Sequence, residues 1–490
     1  MTVSDVSPPA IMWFRNDLRL ADNPALHAAA ASARPLICVY VHEDGPGAPR
    51  PPGGAARWWL HGALAGLDRA LANRGGALHL LRGPAEEAIA ALATAVGAAA
   101  VYRCRRYDEP GRAIDARLDA LLEARGVASL DFSGTLLHEP WAVENRSGQP
   151  FRVFTPFWRA SRQRGAPGQP LRPPERLSFF ALPEETRRRF VGLGDLGLEP
   201  AKPDWAGGLR TAWRRDEDGA AACLDTFLDH GLEGYAGGRD HMASAAISRL
   251  SPYLRFGQVS VRQVWHAVTA ARLSERSRAS EGDVEKFLAE LGWREFAYHL
   301  LHQAPDLARR NLQPRFDAMR WRSDERALRA WQRGETGYPL VDAGMRQLWA
   351  TGWMHNRVRM VTASFLAKHL LLDWREGEAW FWDTLVDADV ASNPVNWQWV
   401  AGSGADAAPY FRVLNPILQG EKFDAGGDYV RRWVPELACL PAAVIHRPWT
   451  AGKEQLAAAG VALGETYPLP IVAHEFARER ALAAWRDMRA

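Results

Sequence analysis

The first hundred residues alternate between short, wholly apolar runs and alanine-rich stretches of helical length. Ile11 to Phe14, Pro35 to Val41, Ala77 to Leu81 and Ala98 to Tyr102 are the apolar runs. Ala55 to Asn73 and Glu86 to Val96 are the helical stretches between them. A strand buried on both faces reads as a continuous apolar run, and parallel neighbours need a crossover that is usually a helix. The pattern predicts an α/β domain over residues 9–138, built on a doubly wound parallel sheet. Residues 139–212 break the alternation. Nine prolines, from Pro150 to Pro203, fall there among many Arg and Gly, which predicts a long connector. From about Trp213 the strand signals fade and helical periodicity dominates. Residues 213–490 are therefore expected to form an all-helical domain. A chain of 490 residues is too long for one ordinary core, in keeping with such a division.

Composition excludes several function classes. A net charge of +3 is too small for the whole surface to act as a polyanion binder, so any such contact needs a local patch. The four cysteines, Cys38, Cys104, Cys223 and Cys439, are scattered and form no CxxC pair. Neither a zinc site nor a disulfide framework is indicated, which fits a reducing cytosol. The N-terminus lacks a basic region followed by an apolar stretch, and no apolar run is long enough to span a bilayer. A cytoplasmic protein away from membranes, and a monomer, is expected.

Ten of the 21 tryptophans fall between Trp293 and Trp399, threaded with Asn, Arg and Asp. One tryptophan is core by default; a cluster this dense points to a bound aromatic cofactor, stacked bases or electron transfer. Asn356, Arg359 and Met360 are spaced i, i+3 and i+4 and share one helical face. Asp387 and Asp389 follow on a predicted loop, with Asn393 four residues later. Glu290, Trp293 and Arg294 put a carboxyl, an aromatic plate and a cation on another helical face. Ile247-Ser248-Arg249-Leu250-Ser251-Pro252 brings two hydroxyls and a guanidinium just before a proline. Such a segment can cradle a diphosphate, or serve simply as a capped helix start.

The Gly352–Met360 run (GWMHNRVRM), the Asp387–Trp399 run (DADVASNPVNWQW) and an N-terminal WFRNDLR at Trp13–Arg19 together resemble DNA photolyases and cryptochromes. The resemblance covers nearly the whole chain. The Ser392–Trp397 and Val400–Gly404 runs look most like bacterial class III cyclobutane dimer photolyases. It implies an FAD-binding helical domain and light-driven repair of cyclobutane pyrimidine dimers in double-stranded DNA, by electron transfer from excited reduced FAD. A cryptochrome-type blue-light photoreceptor and a six-four photolyase are the alternatives. Met360, in place of a histidine-rich segment, points away from the six-four enzymes. Asn393, in place of the usual Asp, points away from plant cryptochromes.

The resemblance also implies roles. FAD would be held by Tyr235, Ile247, Ser248, Arg249, Leu250, Ser251, Phe287, Arg294, Asn356, Arg359, Asp387, Asp389 and Asn393. Ile247 departs from the family's usual Thr. Trp321, Trp374 and Trp397 would carry electrons to the flavin. Glu290, Met360 and Asn393 would be the catalytic residues. Lesion and DNA contacts would come from Glu290, Trp293, Arg294, Asn356, Arg357, Met360, Trp399 and Gln419, with Arg309, Arg310 and Arg315 as further basic candidates. A methenyltetrahydrofolate antenna is implied for class III members. The folate-binding glutamate of class I enzymes would fall near Gly111 and is absent, which leaves Glu43 and Arg57 as candidates.

Overall fold

The computed structural model describes residues 7–489 except Pro46, Arg146, Ala245, residues 275–277 and residues 407–410. The chain gathers into two compact units. One comprises Met1–Phe151, Thr155–Glu233 and Ser248–Pro305; the other comprises Arg152–Phe154, Gly234–Ile247 and Asp306–Ala490.

The first unit carries a five-stranded sheet with strand order β3-β2-β1-β4-β5. The strands are β1 (Ala10–Phe14), β2 (Leu36–His42), β3 (Leu78–Arg82), β4 (Ala100–Cys104) and β5 (Ala128–Phe132), and every neighbouring pair is parallel. The apolar run AIMWF makes the central strand, buried along its whole length. Trp13 pairs in register with Val39 on one side and Arg103 on the other. The crossovers are helices α1 (Pro24–Ala31), α2 (Gly54–Ala72), α3 (Ala85–Val96) and α4 (Glu109–Glu123). Ile11, Trp13, Ile37, Val39 and Val101 pack against Ile89 and Leu92 of α3 and Ile114 and Leu118 of α4. The expected doubly wound sheet is therefore present. Strand β5 carries no clear signal: ASLDF is short, polar and partly exposed, as befits an edge.

The WFRNDLR signature proves to be a structural lock. Arg15 ion-pairs with Asp115 at 2.6 Å. Asp17 is fully buried and accepts from the Arg15 N–H and the Asn23 amide. Arg19 donates to the carbonyls of Gly257, Asp22 and Gly134, each at 2.8 Å. These bonds tie the β1 loop to helical parts of the same unit, and Glu217 adds two by accepting from Leu20 and Ala21 N–H at 3.0 Å. The proline-rich stretch returns to the sheet through isolated bridges, Leu36 to Phe179 and Leu80 to Val191.

The second unit is helical; among its described residues, strand pairing is limited to isolated bridges. Its core is aromatic: Trp331, Phe365, Trp374, Phe381, Trp397 and Tyr467 are buried together. Among the described residues, no helix is long and apolar enough to cross a membrane.

A π-helical turn at Phe365–His369 buries Lys368, whose amine donates to the Arg412 carbonyl and lies over the Phe411 ring. Burial pulls its pKa from 10.5 down to about 7. The unfolded chain takes up this proton as the pH falls below about 10.5, and the folded chain only near 7. Stability is therefore lost over that window as the pH falls. Lys368→Met should stabilise the fold by roughly 1–4 kcal/mol at pH 6. The gain should vanish toward the alkaline end of the window. Urea titrations at several pH values check this; a pH-independent difference would contradict it.

Candidate functional site

In the second unit, the helix Asn356–Ser364 starts at His355, whose Nδ1 accepts the Arg357 N–H at 3.1 Å. That cap requires a neutral imidazole, and burial holds the His355 pKa down at about 4. The cap orients the next turn. Val358, Val361 and Thr362 point into the core, whereas Asn356 is exposed and Arg359 and Met360 are partly so. The expected shared face exists and is open.

Arg359 makes a two-pronged ion pair with Asp387, at 2.8 and 3.1 Å, and also donates to the Met354 carbonyl. Bidentate pairs of this kind fix geometry as well as charge. Asp389 accepts from the N–H groups of Ala391 and Ser392 and so starts the helix Ser392–Ala401. Asn393, in the first turn of that helix, donates both amide hydrogens to Glu378: one to its carbonyl at 3.1 Å, one to its carboxylate at 2.8 Å. A backbone carbonyl can only accept, which fixes the amide orientation. The remaining function of Asn393 is its carbonyl oxygen.

The tryptophans follow the same helices. Trp374 and Trp397 are buried, at 0% and 2% exposure, and Trp321 is partly exposed against the same core. The Trp397 ring makes T-shaped contacts with Phe381 at 4.9 Å and Trp331 at 6.2 Å. It also lies flush on the helix Trp374–Thr384 at Gly377, where a Cβ would meet the ring at 2.1 Å. Gly377→Ala should therefore displace the ring and cost roughly 1–3 kcal/mol. A denaturant midpoint unchanged from the parent would contradict that packing.

Trp399 donates to the Asp406 carbonyl at 3.1 Å and is partly exposed. Arg357 is ion-paired with Asp240 at 2.5 Å and stacks over Phe423. Tyr235 opens a short helix with Arg239 over its ring. Gln419 has a buried Oε1 without a hydrogen bond among the described residues. Ile247, partly buried, ends the 234–247 stretch of this unit.

In the first unit, Arg249 has φ of +52° and Leu250 follows in the right-handed region. A left-handed residue followed by a right-handed one turns successive N–H groups toward one point, an anion-binding nest. The Ser248 hydroxyl lies 3.5 Å from the Leu250 N–H, and the Arg249 guanidinium stacks on Trp213 at 4.1 Å. Ser251 begins the helix that follows. Glu290 and Trp293 are partly exposed on the helix Glu281–Gln303, with Trp293 edge-on to Phe296 at 6.0 Å. Arg294 is engaged inward, donating to the Thr135 carbonyl at 2.9 Å and pairing with Glu295 at 3.3 Å. Burial raises the Glu295 pKa to about 7. Phe287 is core, packed on Phe227 at 4.6 Å. Glu43 is spent on Arg106 at 2.5 Å, and Arg57 is exposed on α2.

Each donor set, taken within its own unit, has the chemistry to hold one part of FAD. The nest at Arg249 and Leu250 suits a diphosphate. Arg359, Asp387, Asp389 and the Asn393 carbonyl supply the cation, carboxylates and acceptor that a flavin's carbonyls and ring N–H groups need.

Family models agree. One described as the FAD binding domain of DNA photolyase matches residues 287–487, and one described as DNA photolyase matches residues 10–175. The chain is 52% identical to a deoxyribodipyrimidine photo-lyase of Agrobacterium fabrum, over 97% of each chain. This chain belongs to the DNA photolyase family. Within the family it also resembles cryptochrome-1 of Arabidopsis thaliana, at 39% identity over 98% of this chain and 70% of that one. The crystal structure of a bacterial class III photolyase from Agrobacterium tumefaciens superposes with a TM-score of 0.94, at 50% identity, covering 99% of this chain and 100% of that one.

Glu378 and Gly377, close to Trp374 in the sequence, are functional-site residues that sequence reasoning misses. Their signal was weak. A glycine and a glutamate inside a helix gain meaning only when the partner helix is in place.

Proposed function

We propose that this protein repairs cyclobutane pyrimidine dimers in double-stranded DNA, driven by light, as a cytoplasmic monomer. The carrying observation is the Asn393–Glu378 arrangement, which leaves a neutral amide carbonyl at the position assigned to the flavin ring. A neutral acceptor would suit a flavin that carries a hydrogen on N5, as the reduced, electron-donating form does and the oxidised form does not. When bound, FAD supplies a light-absorbing one-electron donor whose electron returns once the dimer's two ring bonds have split.

The protein's own residues bind and orient. Ser248, Arg249, Leu250 and Ser251 hold the diphosphate. Arg359, with Asp387 fixing its guanidinium, steadies negative charge on the ring, and Asp389 takes its pyrimidine edge. Within the first unit, Trp293 would stack the flipped-out lesion and Glu290 bond its base edge; within the second, Trp399 would offer a stacking plate, with Asn356, Met360 and Gln419 as further lesion contacts. Arg294 and Arg357 are already ion-paired, so they serve better as supports than as free phosphate contacts. Exposed Arg309 and Arg315, and Arg310, whose pair with Asp306 is solvent-exposed, are better candidates to meet the DNA backbone. The class III resemblance supports methenyltetrahydrofolate as the antenna. The engagement of Glu43 by Arg106 argues against Glu43 as its ligand.

The test is illumination of purified, pre-reduced protein with duplexes bearing either a cyclobutane dimer or a six-four photoproduct, with dark controls. Light-dependent loss of the cyclobutane dimer alone is expected. Repair of the six-four lesion alone would favour that enzyme class. Light-induced absorbance change without repair of either would favour the photoreceptor reading suggested by the cryptochrome relative.

A further inference from the structure

We propose that Asn311 stabilises the oxidised form of Trp374, and so draws positive charge outward from Trp397. The inference rests on the tryptophan-relay reading of Trp397 and Trp374. The Trp374 indole is fully buried and donates its Nε1–H to Asn311 Oδ1 at 3.0 Å. Asn311 in turn donates its amide to Asp317 Oδ1 at 2.7 Å. A carboxylate oxygen accepts, so this second bond directs the Asn311 carbonyl toward the indole.

The loop that carries Asn311 is clamped by a residue lying between two functional tryptophans. Gln398 is wholly buried, donates to the carbonyls of Leu307 at 2.7 Å and Arg310 at 2.8 Å, and accepts from the Leu312 N–H at 2.8 Å. Gln313 ties the loop's end to Ser403 and Gly404. Around Trp397, by contrast, the contacts are apolar rings, and its buried Nε1 has no acceptor among the described residues.

The electron count is simple. When bound, photo-excited FAD would supply the one-electron acceptor, and Trp397 would give up one electron to it and be left as a cation radical. Trp374 then gives one electron to Trp397, which is restored, and Trp374 becomes the cation radical. Its proton stays on Nε1, because an amide oxygen is not a base. The Nε1–H···O bond becomes charge-assisted at that moment and strengthens, more so in a low-dielectric core. Arg375 opposes this, since its guanidinium lies 4.7 Å from the Trp374 ring. Its charge is offset by Asp373, which it grips through both carboxylate oxygens at 3.1 Å. The acceptor at Nε1 tips the remaining balance.

The test uses Asn311→Leu, which keeps the branched shape and removes the acceptor, and Asp317→Asn, which frees the amide to turn. Flash transient absorption on the holoenzyme in a Trp321→Phe background, where the charge stops at Trp374, should show the tryptophan radical decaying by back transfer roughly tenfold faster in Asn311→Leu, the scale of a hydrogen bond to a charged group. Asp317→Asn should move the same way by less. In the dark, ultraviolet resonance Raman should show loss of one strong indole N–H bond, the band that Trp374→Phe also removes. Flavin content should be unchanged. Should Asn311→Leu fail to fold, Asp317→Asn carries the test. Parental radical lifetimes in the folded variants, while Trp374→Phe abolishes the long-lived radical, would overturn this inference and leave the relay standing. If Trp374→Phe itself leaves photoreduction intact, the relay reading falls, and this inference with it.

Discussion

Trp397→Phe should slow photoreduction of the oxidised flavin by an external reductant by about tenfold or more, a barrier change of about 1.4 kcal/mol or greater. Phenylalanine fills most of the space against Gly377 and Phe381 but is much harder to oxidise. The effect on dimer repair by chemically pre-reduced enzyme should be small, because on the proposed mechanism that electron would travel toward the DNA and not along the proposed relay. The two measurements separate chemistry from packing. Equal losses in both would mean that the variant has merely loosened the core. Undiminished photoreduction would show that electrons enter by another route.

The second large effect belongs to Trp293→Ala. Stacking of a base on an aromatic plate contributes roughly 1–3 kcal/mol, so dimer-bearing duplex should bind about ten- to a hundredfold more weakly. Undamaged duplex should bind nearly as before, since phosphate contacts do not sense the lesion. Flavin content should hold, because the Arg249 nest and the Arg359–Asp387 pair do not involve this side chain. Parallel titrations of both duplexes, with flavin absorbance recorded alongside, decide the matter. Equal weakening on both would make Trp293 a structural residue packed on Phe296.

Much of this was legible in the sequence, for identifiable reasons. The sheet could be read because its central strands are buried on both faces and therefore uniformly apolar; β5, an edge strand with a mixed composition, could not. The open face of Asn356, Arg359 and Met360 followed from helical spacing alone. Positions governed by distant partners were hidden. Nothing local says that Glu378 consumes both amide hydrogens of Asn393, or that Gly377 makes room for an indole. Nor does a sequence reveal that Arg249 adopts a left-handed backbone, which is uncommon outside glycine. Arg294 and Arg357 show the converse difficulty. Their charge suggested DNA contact, yet carboxylates and a carbonyl within their own units engage them.

The central claim is that the protein splits dimers with an electron that is returned and not consumed. The direct measurement is the number of dimers repaired per flavin under light, anaerobically, after chemical reduction and removal of all free reductant. Many repaired dimers per flavin are expected, with the flavin still reduced at the end and no repair in the dark. One dimer or fewer per flavin, with the flavin oxidised in step, would contradict it.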